Sequence, residues 1–579
     1  MTGLYASEED WERDFAAIPN LVRNFAAFKG RLGDGSDTLL RALRAEEELD
    51  RCMENVYHYA SLCNEADQGD STAQERLNRA MMALTKAEAD TSFFLPELLS
   101  VPDDKILEWI EGPDFADYKI YVKKLLHHKP HTLSEKEERI LALQSDSAGT
   151  ASNVFSLLTD VDMSFGTVTD DGVEKPLTHG TWSSFMESHD RSLREDAYRK
   201  FYGAYEAHAN TLAALYAGSV NNDVFRSRAR GYGSSLEAAL YGDKVPVSVY
   251  KNLVDTVHDN LEPLHRYYSL RKKILGVDEL RHWDVYVPLV KSVRTDIPYE
   301  EAVEIVREAL APLGKDYTDT LCDGLLHGWV DRYENKGKNS GAFSSGAYKG
   351  SPYILLNYRS DTLRDVYTMA HEGGHSMHSW YSVRNNPFMS YDYTIFEAEV
   401  ASTFNEELVF EHLLRNAKDR DMRLYLLSSR ASDILATLYR QTMFAEFELK
   451  AHESVESGIP LSTDALRSMY RGLLELYFGP EMRFEPCSDL EGLRIPHFYN
   501  AFYVYKYATG ISASLALARR VTSGGEKEKS DYFEFLKSGG SRYPIESLRL
   551  AGVDMERTES VRSALDTFRD IVGQLEESL

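Results

Sequence analysis

Cysteine is scarce: four residues in 579 (Cys52, Cys63, Cys322 and Cys487), with no CxxC pair among them. That sparseness argues against a disulfide framework, and Cys52 and Cys63 read as small core residues of a single helix. No run of 18 apolar residues occurs, so no helix is expected to span a membrane. Met1 to Phe15 is acidic and interrupted, without the basic and apolar stretches of a secretory leader, and a soluble cytoplasmic protein is expected. Positive charge is also short. The 65 basic residues face 92 acidic ones, a net charge of −27, which argues against nucleic acid or an anionic membrane as partner. Strand-like text is sparse, and neither internal repeats nor low-complexity tracts occur.

What remains is globular and helical. Hydrophobic residues make up 43% and charged residues 27%, and the length exceeds what one hydrophobic core serves. Leu49, Cys52, Met53, Val56, Ala60 and Cys63 form an i, i+3/i+4 stripe. Thr72-x-x-Glu75, Ser134-x-x-Glu137 and Ser192-x-x-Glu195 read as capping boxes that open helices. A helical hairpin domain is expected over 1–114, with turns at Gly33–Gly35 and Gly69–Asp70. A linking region with a β-hairpin around Asp170-Asp171-Gly172 follows over 115–200, then a catalytic domain over 201–579. Within the latter, one uninterrupted helix is expected from Ser192 towards Arg226, which crosses the 200 boundary. A short extended piece is expected from Trp283 to Val290, where Pro288 excludes helix interior. Gly341–Tyr348 is a small-residue loop, and Tyr353–Tyr358 an apolar strand, either ordinary and buried or an edge that takes up a peptide backbone. Helix returns over Asp421–Glu456, and a tyrosine-rich block spans His497–Tyr507.

The chemistry centres on His371-Glu372-Gly373-Gly374-His375. Histidines four apart on a helix share a face and reach one metal ion, while Glu372 projects about 100° round, within reach of a metal-bound water. The reading is a zinc hydrolase, most simply a peptidase. Possible N-caps are Ser360, Asp361 and Thr362, with Thr362-x-x-Asp365 as a capping box. Leu363, Val366, Ala370 and Met377 form the apolar face, and the helix should end before Asn385-Asn386-Pro387. Two adjacent glycines cost roughly 1 kcal/mol each against alanine, a cost that suits a backbone passing close to another chain. His378, about 10 Å along the axis from His371, lies too far to share the ion. A third ligand is needed. Glu397 and Glu399 both flank the stripe Phe396, Val400, Phe404 and Leu408 of the next helix, and spacing leaves the choice between them open.

His371–His378 followed by Phe396–Thr403 closely resembles the thimet-oligopeptidase-like zinc metallopeptidases, and within them the oligoendopeptidase F branch. Ala229–Tyr232, Ser234–Ala238, Gly341–Tyr348 and Ile495–Asn500 match as well, so the resemblance runs from about residue 115 to the C-terminus. It implies a mainly α, two-lobed helical zincin with a small β-sheet beside the HExxH helix and a deep channel for unstructured oligopeptides. It implies His371, His375 and Glu399 as ligands of one zinc ion, and Glu406 as a carboxylate orienting a zinc histidine. His497 would hold the oxyanion with a tyrosine hydroxyl, Tyr507 or Tyr503. Glu372 would be the general base and then the acid. Gly346, Ala347 and Tyr348, within the Gly341–Tyr358 region, would hold the peptide extended. The function implied is a zinc metalloendopeptidase acting on oligopeptides. A carboxypeptidase or dipeptidase on a similar body is the rival enzyme, and a non-catalytic metal-containing peptide-binding protein the rival outside enzymes.

Overall fold

The computed structural model describes residues 1–290, 293 and 295–578. The fold is mainly α, with 71% of the chain helical. No helix among the described residues is long and apolar enough to cross a membrane. The chain divides into two compact units, neither contiguous in sequence. The first comprises Met1–Pro130, Arg294–Arg415 and Leu517–Val553, and the second His131–Val293, Asn416–Ala516 and Asp554–Leu579. These seams differ from boundaries near 114 and 200, because two later segments return to complete the N-terminal unit.

The first unit opens with three helices, α1 (Glu8–Ala26), α2 (Ser36–Ala66) and α3 (Ser71–Thr91). Ser7 caps α1 by accepting the Asp10 N–H, and three acidic residues in the first turn suit the helix dipole. The apolar stripe of α1 (Trp11, Ile18, Val22, Phe25) is buried, and the Trp11 indole donates to the Val56 carbonyl of α2 at 3.0 Å. The cap of α3 is Asp70, not Thr72: its carboxylate accepts the Thr72 N–H at 2.8 Å. A three-stranded sheet follows, β1 (Val330–Asp331), β2 (Phe343–Ser345) and β3 (Tyr353–Leu355), in the order β1-β3-β2. β3 is therefore the central strand, parallel to β1 and antiparallel to β2. The edge lies earlier in the chain than the apolar run at 353–358, on the small polar residues of β2. Three long helices complete the frame: α4 (Arg364–Asn385), α5 (Ile395–Asn416) and α6 (Glu526–Ser538).

In the second unit the expected hairpin forms between Thr167–Asp170 and Val173–Pro176, with Asp171 (φ 51°) and Gly172 (φ 78°) at its turn. Positive φ at both central residues is what a two-residue hairpin turn requires. Ser134 and Glu137 make their capping box, with Ser134 N–H to Glu137 at 3.0 Å. Asp190 replaces Ser192 as a cap, and the expected single helix breaks at His208 into Arg191–Ala207 and Ala209–Ala229. Residues 283–290 form no strand. Pairing sits upstream at Leu280–Arg281, parallel to Met482–Arg483, because Trp283 and Asp284 turn inward in a 3-10 turn. Arg420–Glu456 runs as one long helix with a π-helical stretch at Leu435–Tyr439.

This unit buries an ion pair. Glu491 is 1% exposed and accepts from Arg440 at 2.6 Å. Burial alone would raise the Glu491 carboxyl, but the Arg440 charge overrides it and holds it at about 2. A depressed carboxylate stabilises the fold above its unfolded value of about 4.3, and that contribution fades as pH falls towards 2. Glu491→Gln should therefore cost about 3–5 kcal/mol at pH 7, since it strands a buried guanidinium. Urea melts of both proteins from pH 7 to pH 3 should show the gap constant above pH 5 and narrowing below it.

Candidate active site

The HExxH residues lie on α4, which begins without a side-chain cap. Asp365 accepts the Arg359 N–H at 2.7 Å and does not close a box with Thr362. The helix ends at Asn385 as its sequence predicts, and Val366, Ala370 and Met377 are fully buried. α5 crosses α4 at Gly374. A Cβ there would stand 2.5 Å from the Ala401 carbonyl oxygen and 2.6 Å from the Ser402 Cα. The neighbour that the glycine admits is the α5 backbone, neither a strand nor substrate. That close approach brings the start of α5 beside the two histidines.

The Nε2 atoms of His371 and His375 are 3.2 Å apart, and Glu399 Oε2 lies 3.6 Å and 3.8 Å from them. All three ligand atoms fall within 4.8 Å of one another. Donors around a tetrahedral zinc, at bond lengths of about 2.0–2.1 Å, stand about 3.3 Å apart, so this triangle fits such an ion. The donor set fits as well: two imidazoles and one carboxylate leave a coordination position open. The outer hydrogen bonds of both rings are already made. Glu406 Oε1 is 2.5 Å from His371 Nδ1, and His375 hydrogen-bonds the Ala398 carbonyl. Glu397, the alternative carboxylate, is buried and turned away, accepting from Thr394 N–H and Oγ1.

Electrostatics sharpen the picture. Burial pulls His371 down, but the hydrogen bond and charge of Glu406 outweigh it and carry the ring up to about 9. Burial and the charge of His371 push His375 down to about 3. Two rings in nitrogen-to-nitrogen contact hold one positive charge between them, and a cation bound there would take the place of that proton. Burial raises Glu372 to about 7, against the opposing pull of His371.

The sheet edge meets this base directly. Ile354 gives its N–H to Trp329 at 2.8 Å, so its partner Ser344 points its backbone groups away from β3. The Ser344 N–H reaches the Glu372 carboxylate, while its hydroxyl is 2.8 Å from Ser376. Sequence reasoning missed Ser344, Ala398 and Tyr393. Only the glycine pair hinted at such close packing. Tyr393 stacks on His378 with ring centroids 3.6 Å apart, and its hydroxyl is 2.9 Å from Ser379. His378 is thus a packing residue, buried and pushed down to about 3.

Gly346 sits just past β2, where a Cβ would lie 2.4 Å from Ser379 Cβ, and Ala347 is buried. The Tyr348 ring packs edge-on to Phe388 and Tyr391 beneath the Arg51 guanidinium, and its N–H goes to Glu54. Its side chain therefore serves as an anchor of the loop.

His497, Tyr503 and Tyr507 belong to the second unit and cluster there, with centroids 5.4–6.3 Å apart. They do not share one helix. Helix begins at Tyr505, and Tyr503 follows Phe502, which has φ 56°. The Phe502 N–H is held by buried Glu448 at 3.0 Å. Tyr499 packs on Phe155 and Tyr216, and Tyr505 on Tyr250, both away from this cluster.

Comparison with known proteins agrees with this architecture. Residues 184–567 match the model of peptidase family M3, and residues 97–165 that of oligopeptidase F. Oligopeptidase PepF of Bacillus subtilis is 41% identical over 578 residues, covering 100% of this chain and 86% of its own. A Borreliella burgdorferi oligoendopeptidase F homolog is 40% identical, covering 98% and 95%. The crystal structure of oligoendopeptidase-F from Enterococcus faecium superposes with a TM-score of 0.74 at 31% identity, covering 99% of each chain. With an HExxH helix, a glutamate-bearing helix crossing it and matches along its whole length, the chain belongs to peptidase family M3, in the oligoendopeptidase F branch.

Proposed function

We propose that the chain is a zinc endopeptidase cleaving internal bonds of short, unstructured oligopeptides, with zinc held by His371, His375 and Glu399. The observation that supports this most directly is the convergence of the three ligand atoms within 4.8 Å. A zinc ion there supplies Lewis acidity and lowers the pKa of water from about 15.7 towards about 7. Glu372 takes the proton from the attacking water and returns it to the leaving amine, a part suited to a carboxyl raised to about 7. Ser344 N–H fixes that carboxylate, and Glu406 fixes the His371 ring. The peptide lies extended along the outer edge of β2 and the Gly346–Tyr348 turn. His497, Tyr503 and Tyr507 donate to the oxyanion, an assignment supported by the family resemblance and by their mutual clustering.

Two measurements test this reading. A peptide blocked at both ends should be cut internally, and release of terminal residues alone from unblocked peptides would replace it with an exopeptidase. Chelation should abolish cleavage and stoichiometric zinc restore it, with metal analysis of the purified protein deciding between zinc and other divalent ions. Glu406→Gln should lower zinc affinity or kcat/KM by about 10–100-fold while leaving the fold intact, read by competition with a fluorescent chelator.

A further inference from the structure

A cavity of about 620 Å³ lies wholly within the second unit and contains none of the residues assigned to catalysis. Its volume lies within the range of small-molecule sites. Tyr268, Tyr286, Arg271 and Arg440 line it, with Val287 and Phe478 among its apolar walls. Three observations distinguish it from a packing defect.

The first is unspent hydrogen-bonding capacity. Tyr268 is 2% exposed and stacks on Phe478 at 4.8 Å, yet its hydroxyl has no hydrogen-bond partner among the described residues, nor has that of Tyr286. The charges of Arg440 and Arg271 act on Tyr268, and all three line the cavity together with Tyr286. Both hydroxyls belong to the cavity lining, where they are free to bond what enters it.

The second is charge. Arg440 shares the single carboxylate of Glu491 with Arg494. Arg271 is 3% exposed and is held by neutral oxygens alone: the Asp284 carbonyl, the Tyr267 hydroxyl and the Val287 carbonyl. No carboxylate lies within salt-bridge distance of it among the described residues. Buried charges are ordinarily paired. The rim carboxylates, Glu187 and Asp433, are exposed, so the uncompensated positive charge belongs to the floor.

The third is backbone. Leu435 and Ala436 of its wall belong to the π-helical stretch Leu435–Tyr439, and Arg440 follows it directly. Such stretches recur at binding sites, where they reset the direction of side chains.

We propose that this cavity binds a small apolar carboxylate, its anionic group on the Tyr268 and Tyr286 hydroxyls and the Arg271 and Arg440 guanidiniums, its body against Val287 and Phe478. Fragments of this kind bear a free carboxyl group, as do the products of peptide hydrolysis, so the site is suited to sense an acid without cleaving it.

Calorimetry on the full-length, metal-loaded protein at pH 7 tests this with N-acetylphenylalanine as the probe and N-acetylphenylalaninamide as its neutral twin. The acid should bind about tenfold or more tightly than the amide. Tyr268→Phe combined with Tyr286→Phe should weaken the acid by about tenfold or more and leave peptide cleavage unchanged. Ala436→Trp, which narrows the cavity from its exposed wall, should do the same without touching the buried hydroxyls. Equal binding of acid and amide, undiminished binding in the variants, or no binding at all would overturn the proposal. So would complete displacement by chloride or phosphate, which would assign the floor to a bare inorganic ion. None of these outcomes depends on whether Glu372 or the zinc ligands act as proposed.

Discussion

Glu372→Gln retains its zinc and loses about 10³-fold or more of its turnover of an internally quenched, doubly blocked peptide. Glutamine preserves the shape of the side chain, and its amide oxygen still accepts the Ser344 N–H that holds the carboxylate. It cannot take up a proton, and that is the one property the change removes. Because Glu372 is 5% exposed, water around it is sparse and no bulk base substitutes. Metal content by elemental analysis and single-turnover cleavage decide the matter together. Cleavage at the wild-type rate, with zinc present, would remove Glu372 from the mechanism.

Gly374→Ala should be the second large effect, and its sign is the informative part. In an isolated helix, replacing glycine with alanine stabilises by about 1 kcal/mol. Here the new methyl group would meet the Ala401 carbonyl oxygen at 2.5 Å and the Ser402 Cα at 2.6 Å, both backbone atoms of α5. Backbone cannot rotate aside, so α5 moves and Glu399 moves with it. Overpacking of this kind costs about 1–3 kcal/mol, and a displacement of about 1 Å at a reacting centre costs about 10²-fold in rate. Zinc affinity and kcat should both fall. Gly373→Ala is the control: its methyl would meet only the Leu321 side chain, at 3.1 Å, which can shift, so helix propensity and crowding nearly cancel. Equal behaviour of the two variants in zinc titration and thermal melts would refute the role assigned to the helix crossing.

Much of this was legible in the chain itself, for identifiable reasons. Helical period located α2, α4 and α5, because their buried residues recur at the spacing of one face. HExxH located the metal helix, because its geometry is local. The choice between Glu397 and Glu399 was not local. Both flank one stripe, and only the crossing at Gly374 turns Glu399 towards the histidines while Glu397 goes to Thr394. Caps were misread wherever an aspartate stood just upstream, as at Asp70 and Asp190, since these accept the first helical N–H groups before Thr72 or Ser192 can. Tyr503 and Tyr507 come beside His497 across the left-handed residue Phe502, a conformation that no propensity assigns to phenylalanine. Of the two readings left open for 353–358, the structure takes the buried one: apolarity marks the central strand, whereas the strand that meets Glu372 is small and polar.

The discontinuity of the first unit also bears on when the enzyme comes into being during translation. α4 and its C-terminal cap rest on residues far along the chain: Asn386 donates to the Lys537 carbonyl at 2.8 Å, and His378 packs on Phe535. A ribosome that has just made His375 has still to add the segment Leu517–Val553. At about 5–20 residues per second, the histidines wait on the order of ten seconds or more for their supports. Throughout that interval the growing chain stays tethered beside its own unfinished cleavage site. Late arrival of the supporting helix delays hydrolytic competence until most of the polypeptide has left the ribosome.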